Sequence, residues 1–370
     1  NFNNDSSVAA SPLRPLGDEG GDAGDWSPVP AAYVAVPINK DLALGFGINA
    51  PFGLKTEYGD GWMGRYHALK SEITTYNFNP TLAFRLNSCM TLGFGMNYQR
   101  LLAELTNSVN YAAAVAAAAP ALTPAVLSLD DGRAAVRGDD SAWGFNAGIL
   151  FNFSDRTRLG FAYRSRFNYD VSGSVRFTAP QSGNAAVNGV IAALGAPGAP
   201  LSTSVASVEL ELPDIATASF TQRIGDHVEL MADISWSAWS TVQELRIRRV
   251  SGAPDIVTPE HWDDAWRYAL GLAVQVGSNW TLRGGVAFDE TPVPDFNRTP
   301  RLPDGEREWV AIGARWTPTM ATVIDVGYAH LFSDDAPINQ NSGNTALYGF
   351  LHGEQESYVD IVSLQVGYRF

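Results

Sequence analysis

The stretch 279–316 constrains the fold most, because it contains two runs of alternating residues joined by a polar loop. Large apolar residues and Ala314 share one parity in these runs: Trp280, Leu282, Val286 and Phe288, then Val310, Ile312, Ala314 and Trp316. The other parity is small or charged and includes Arg283, Asp289 and Arg315. Since period-2 alternation places successive side chains on opposite faces of a strand, the stretch predicts two strands with one apolar and one polar face.

The same pattern recurs along the chain, and its connections alternate in length. Short turns are predicted at 39–41, 87–89, 154–157, 225–227, 277–279 and 317–320. Long loops are predicted at 51–72, 107–140, 179–204, 249–262, 290–306 and 333–355. Short turns at one end, long loops at the other and an apolar face ending in aromatics are typical of an antiparallel transmembrane β-barrel.

Thirteen strands are recognisable in the sequence, whereas single-chain bacterial barrels have an even number. We therefore expect one strand to be partly or wholly missing, with residues 1–28 forming a loop and the remnant of the first strand. Residues 1–370 are predicted to form one barrel domain.

Composition agrees with an all-β membrane protein. Charged residues make up 17% of the chain, against about 25% in typical soluble domains. No apolar run approaches the ~20 residues that a membrane-spanning helix needs. The net charge of −14 argues against a nucleic-acid partner, and the single cysteine, Cys89, excludes a disulfide within the chain.

Several motifs resemble the FadL family of outer-membrane channels for long-chain fatty acids and other hydrophobic molecules. They are DAWRYALG, NWTLRGGVAFDETPVP, FNRTPRLPDGEREW, INAPFGLKTEY with WMGRY, and the closing VGYRF. The resemblance covers nearly the whole chain. It implies a monomeric barrel of 14 strands in the outer membrane of a Gram-negative bacterium, among lipid and lipopolysaccharide.

The resemblance also implies passive transport of a hydrophobic ligand, without a cofactor, by release through a gap in the barrel wall. The matching position for this gap is Gly53, with Pro51 before it. Proline removes a ladder donor and glycine permits unusual dihedral angles, so we expect strand pairing to lapse here. The alternative is an ordinary strand end. The N-terminal hatch of the family, with its Asn-Pro-Ala motif, is expected to be absent.

The long loops contain apolar residues where polar ones are usual, especially within 111–129. They are candidates for a groove that captures a hydrophobic ligand: Phe52, Leu54, Trp62, Tyr66, Val115, Leu122, Val126 and Leu127. Met63 belongs to the same apolar group. The alternatives are packing of a cap over the barrel and, for the residues near 52–66, an aromatic belt.

A polar network is predicted in the lumen, from inward arginines and carboxylates. Its members are Arg85, Arg164, Arg166, Arg267, Arg283, Arg315, Asp233, Asp289 and Asp325. A carboxylate relay is the alternative function for these residues. In the loop 290–306, Arg298, Arg301 and Arg307 are expected to brace the loop with acidic residues rather than to touch a ligand.

The resemblance leaves the ligand open. Where fatty-acid-handling relatives place basic residues for a carboxylate head group, the matching positions here are Asn107 and Thr258. Uptake of uncharged aromatic hydrocarbons is therefore an alternative to fatty acids, and a water-filled porin is a third possibility. The five histidines, among them the outward-facing His330, show no metal-binding spacing, and no catalytic motif is present, so an enzyme is not expected.

Overall fold

Strands dominate the computed structural model, which describes residues 1–10, 14–341 and 345–370. Parts of two predicted loops, 11–13 and 342–344, lie outside these described residues. The first strands are β1 (Phe2–Asn4), β2 (Ala32–Pro37), β3 (Leu42–Asn49), β4 (Gly53–Glu57), β5 (Lys70–Arg85), β6 (Met90–Val109), β7 (Gly132–Asn152), β8 (Thr157–Arg164), β9 (Phe167–Thr178), β10 (Ser204–Leu212) and β11 (Ile215–Ile224). The remaining strands are β12 (Val228–Ser237), β13 (Glu244–Arg249), β14 (Ile256–Pro259), β15 (Ala265–Val276), β16 (Trp280–Asp289), β17 (Arg307–Trp316), β18 (Thr322–Ser333), β19 (Ala336–Gln340), β20 (Leu351–Gln355) and β21 (Tyr358–Tyr368).

Helices are few and lie in the long connections. They are α1 (Tyr111–Ala118), α2 (Ala185–Leu194), α3 (Thr345–Tyr348) and the 3₁₀ helices Pro120–Val126 and Trp239–Thr241. None of the described helices has the length and apolar character needed to cross a bilayer.

Antiparallel strands form one barrel, the predicted fold class. Several strands are halves of one interrupted pass: β3 with β4, β8 with β9, β10 with β11, β12 with β13, and β14 with β15. Counted this way, the described residues make thirteen passes of the wall, from β2 to β21. In these residues β2 pairs with β3 and β21 with β18, and both strands are exposed along nearly their whole length. The total of fourteen strands stays a prediction.

The outer face of the wall is apolar and exposed. In β16 and β17 the large residues of the sequence pattern point outward, and Ile312 is 64% exposed. Aromatic pairs lie near the short turns, as Trp280 stacks on Trp316 with ring centroids 5.9 Å apart. Others, such as Tyr98 with Trp143 at 5.0 Å, lie nearer the long loops. An apolar band between two aromatic girdles is the surface that a bilayer covers.

A bulge inverts the alternation in the pass made by β8 and β9. Asn146 pairs with Arg164 and Asp139 with Ser172, so eight steps along one strand match seven along its neighbour. Beyond this extra residue Phe167 and Tyr169 are buried on the inner side. Arg166, which was expected in the lumen, instead contacts Asp214 at 2.8 Å and Glu211 at 3.1 Å, beside the outward-facing Tyr163.

A second, smaller unit is separate from the barrel wall; we call it the cap, and it is formed by β1, β19, β20 and the residues packed on them. β1 pairs with β20, and β20 pairs with β19, in a separate three-stranded sheet. Residues 2–4 are therefore a strand, but they belong to this sheet and not to a barrel pass, which differs from the expected remnant of the first wall strand. Phe2 packs in the cap core against Trp62, whose indole ring stacks on Tyr58 with centroids 4.0 Å apart.

Candidate functional site

Strand pairing lapses between β3 and β4, at residues 50–52, as predicted from Pro51. Below the break Asn49 pairs with Asn77, and above it Gly53 pairs with Thr74. Within the break, the Thr75 hydroxyl accepts from the Phe52 N–H at 3.1 Å and donates to the Phe52 carbonyl at 2.6 Å. On its other side β3 pairs with β2 only as far as Ile48, so the edge above it has no ladder partner among the described strands.

Gly53 adopts an ordinary backbone conformation. Its φ is not positive, so the expectation that unusual dihedral angles cause the break does not hold for this residue. A β-carbon added at Gly53 would meet only the Ile73 carbonyl, at 3.7 Å. The break therefore depends on Pro51 and on the Thr75 hydroxyl, and position 53 has room for a side chain.

A cavity of about 120 Å³ lies inside the barrel beside this break; we call it the lumen cavity. Its lining is mostly apolar: Leu54, Ile73, Ala103, Leu105, Val136, Val171, Ala206, Val208, Leu210, Val242, Leu245, Ile247 and Leu302. The lining also includes Glu260, Trp262 and Arg301. For scale, an apolar protein cavity of about 150 Å³ holds benzene.

A chain of aromatic rings connects the break to the polar end of the cavity. Phe52 meets Trp239 edge-on with centroids 6.0 Å apart, and Trp239 meets Trp262 at 5.4 Å. Trp262 Nε1–H donates to Glu260 Oε2 at 3.1 Å. Four residues from three separate parts of the chain thus line one path from the wall to a carboxyl group.

Glu260 and Arg301 are the charged pair at this end of the cavity. Burial raises the pKa of Glu260 to about 7, against the opposing effects of the Trp262 hydrogen bond and of Arg301. Burial lowers the pKa of Arg301 to about 10, so Arg301 remains protonated at neutral pH. Among the described residues no ion pair joins the two side chains. We refer to them together as the polar pole.

Arg301 places a positive charge beside Asn107, near the end of β6. Its guanidinium donates to Asn107 Oδ1 at 3.2 Å and to the Thr106 carbonyl at 3.3 Å. Asn107 is the position where the family resemblance implies a basic residue. Arg301 was expected only to brace its own loop, because nothing local in the sequence shows that this loop reaches the top of β6.

The other loop arginines do brace the loop, as predicted. Arg298 contacts Asp295 at 2.7 Å and donates to the carbonyls of Asp304 and Val293. Arg307 contacts Asp304 at 3.3 Å and Asp289 at 3.0 Å.

The apolar loop 107–140 folds onto the loop 179–204. Asn110 caps α1 by accepting from the Ala113 N–H at 2.9 Å, and the alanine-rich run that follows favours the helix. Of the candidate capture residues here, Val115 and Val126 are fully buried against α2, where Val187 and Ile191 lie. Leu122 is partly buried, whereas Leu127 is 56% exposed.

The remaining capture candidates divide between cap and cavity. Trp62 and Tyr66 are buried in the cap, and Met63 with them. The Tyr66 hydroxyl donates to Asp131 at 2.9 Å, next to Arg65. Leu54 lines the lumen cavity, and Phe52 packs beside it. The structure thus brings Phe52 and Leu54 to the cavity, but it does not bring Trp62 and Tyr66 there.

Most of the predicted lumen network lies on one side of the barrel. Asp325 accepts from Arg315 at 2.8 Å and from Arg283 at 2.9 Å, and Arg267 lies 3.5 Å from Asp233. No ion pair is formed by Arg85 or Arg164 within the described residues. The opposite side carries an amide ladder that the sequence reasoning missed, in which Asn77 donates to Asn97 and Asn97 to Asn146, at 2.9 and 2.8 Å.

Solved structures share this architecture. A FadL homologue from Pseudomonas aeruginosa superposes with a TM-score of 0.86 at 26% identity, covering 99% of this chain and 86% of that one. The toluene transporter TodX of P. putida gives a TM-score of 0.64 at 15% identity, over 92% and 82% of the two chains, a likeness of fold.

Proteins related in sequence are also outer-membrane or transport proteins. The long-chain fatty acid transport protein of Escherichia coli O6:H1 strain CFT073 is 29% identical over 353 residues, which are 92% of this chain and 77% of that protein. Outer membrane protein P1 of Haemophilus influenzae strain KW20 is 28% identical over 332 residues, 85% of this chain and 69% of its own. A family model described as outer membrane protein transport protein (OMPP1/FadL/TodX) matches residues 1–370. The chain belongs to this family of outer-membrane transport proteins.

Proposed function

We propose that the protein transports hydrophobic small molecules across the outer membrane and releases them sideways into the bilayer, through the break at residues 50–52. The observation that carries this proposal is that a mostly apolar cavity lies directly beside an interruption of the wall. A hydrophobic solute gains roughly 0.8 kcal/mol for each CH2 group that leaves water. Such a path lets it pass from cavity to bilayer without crossing an aqueous channel.

Capture belongs to the loops around α1 and α2. Two segments far apart in sequence pack together there around a buried apolar core, and they leave Leu122 and Leu127 accessible at its edge. Lipopolysaccharide surrounds the outer mouth and is polar, so an apolar surface on the loops increases the local concentration of a hydrophobic solute.

The ligand class is long-chain fatty acids or aromatic hydrocarbons. Relatives with the first activity match the chain in sequence, and a toluene transporter matches its fold. The mostly apolar lining of the lumen cavity supports both classes, because an aromatic ring and a segment of an acyl chain both leave water when they contact it.

We also propose that the protein acts as a monomer embedded among lipopolysaccharide. The outer face of the extended upper wall carries ion pairs, for example Arg248 with Glu209, Arg246 with Glu244 and Arg100 with Asp139. Paired charges outside the apolar band suit the level of polar head groups and sugars.

Uptake by cells tests the function. Cells that carry the intact protein in their outer membrane are expected to take up labelled oleate or toluene several-fold faster than cells lacking it. Equal uptake would contradict the proposal.

Conductance in planar bilayers separates transport from the porin alternative. We expect no large, steady conductance from the intact protein. A porin-like open channel would favour diffusion of polar solutes instead.

A further inference from the structure

The polar pole of the lumen cavity contains a carboxyl group, on Glu260, and a guanidinium group, on Arg301. A site that only attracted anions would need no carboxyl group. Glu260 and Arg301 both line the cavity, and both side chains keep some accessible surface. Glu260 uses Oε2 to accept from Trp262 Nε1–H, and Oε1 accepts no hydrogen bond from the described residues. A ligand that reaches this end therefore meets a hydrogen-bond acceptor as well as donors.

We propose that the polar pole binds a head group that donates as well as accepts hydrogen bonds, namely an alcohol, a phenol or a carboxylic acid that shares a proton with Glu260. This inference rests on the proposed function and names the head group that the same cavity selects. Glu260 is then a specificity-determining residue, and an ionised carboxylate is bound only when Glu260 is protonated.

The physical reason is repulsion at low effective dielectric. Two carboxylates within a few ångströms of each other in a mostly apolar cavity cannot both be ionised without a large electrostatic cost, so they retain one proton between them. A hydroxyl group carries no charge and can donate to Glu260 Oε1. The single positive charge of Arg301 compensates one carboxylate at this end of the cavity, but it does not compensate both Glu260 and a ligand carboxylate.

Other titratable side chains near the polar pole are Arg137, His67 and His261. Arg137, which also lines the cavity, is paired with Glu104 at 2.5 Å. His67 interacts with Arg301, and burial lowers the pKa of His67 to about 4, so it stays neutral. The neighbouring His261 contacts the Gln243 side chain at 3.3 Å.

The sign of the pH effect follows from the pKa of Glu260, which burial raises to about 7. Below this pH the carboxyl group is mostly protonated and accepts an anionic ligand beside it. Above it, the affinity for a carboxylate falls by up to about tenfold for each pH unit. The affinity for an alcohol of the same chain length changes little.

The experiment compares decanoate with decanol. Calorimetric titration into nanodiscs that contain the purified, intact protein is done at about pH 6 and about pH 8.5, and empty nanodiscs are subtracted. The wild type is expected to lose about tenfold or more in affinity for decanoate relative to decanol at the higher pH. Glu260→Gln removes this loss. Glu244→Gln, which changes a carboxylate paired with Arg246, keeps it.

A second variant gives an independent readout. Trp262→Phe removes the indole hydrogen bond that helps to keep Glu260 ionised, so the midpoint of the decanoate pH profile is expected to move to higher pH. A pH profile of Glu260→Gln that equals the wild-type profile would overturn the inference, as would equal wild-type affinity for decanoate at both pH values. If neither ligand binds the wild type, the proposed function fails instead.

Discussion

At the scale of single residues, several charged side chains of the wall are paired inside the lumen. Asp325 is the centre of one such group, since it accepts from both Arg283 and Arg315. Its side chain is 15% exposed, whereas the two arginines are more than a third exposed. Solvent therefore screens the pairs in part, and each contributes less than a fully buried pair would.

Asp325→Asn is expected to destabilise the barrel by about 1–2 kcal/mol, because two arginines then face each other without a counter-charge. The temperature at which the folded band disappears in heat-modifiability gels measures this loss. Asp233→Asn is the matched control, since its contact with Arg267 is 3.5 Å long, and it is expected to cost less. An equal or larger effect of the control would contradict this reading of the lumen.

At the scale of elements, the loops around α1 and α2 have a buried apolar core and an exposed edge. Val115 and Val126 lie in the core between α1 and α2, and Leu127 projects from its edge. We expect Leu127→Asp to raise the KM for oleate uptake several-fold at an unchanged maximal rate, because it weakens capture and leaves the cavity intact. Ser128→Asp, at the exposed polar position next to Leu127, is the control. A fall in maximal rate without a change in KM would place Leu127 outside the capture step.

What the sequence could predict was mostly what neighbouring residues determine. The alternation of Trp280, Leu282 and Val286 identified the outward face, because the period of a strand is local. Arg166 was misplaced since a bulge at residues 165–166 depends on pairing with β7. The polar pole was missed for the same reason: Glu260 and Arg301 come from different loops, and only the closed barrel brings them to one cavity.

At the scale of the whole molecule, the outer and inner faces of the barrel wall meet different solvents, and the residues on each face suit the solvent that they meet. Ile312 lies in mid-strand on the outer face, 64% exposed, while the adjacent Ala311 shares the inner face with Arg283 and Arg315. A bilayer covers the first position, and water or ligand meets the second.

Ile312→Lys is therefore expected to cost about 2–4 kcal/mol of folding free energy in phospholipid bilayers, the usual cost of a lysine at mid-membrane on the lipid face of a barrel. Ala311→Lys places the same charge in the lumen and is expected to cost distinctly less. Reversible denaturant titration into liposomes measures both. Equal costs would mean that the two faces do not meet different solvents.

The central claim is sideways release at the break between β3 and β4, and Gly53→Val tests it most directly. A β-carbon at Gly53 meets only the Ile73 carbonyl at 3.7 Å, so the variant is expected to fold while its side chain narrows the opening. The control is Gly93→Val, where a β-carbon meets nothing within 4 Å and the wall is uninterrupted. The measurement is uptake of labelled oleate and of toluene by cells with equal amounts of folded protein. We expect a several-fold loss of uptake in Gly53→Val and wild-type uptake in Gly93→Val. Equal uptake of both ligands by all three proteins would contradict sideways release at the break.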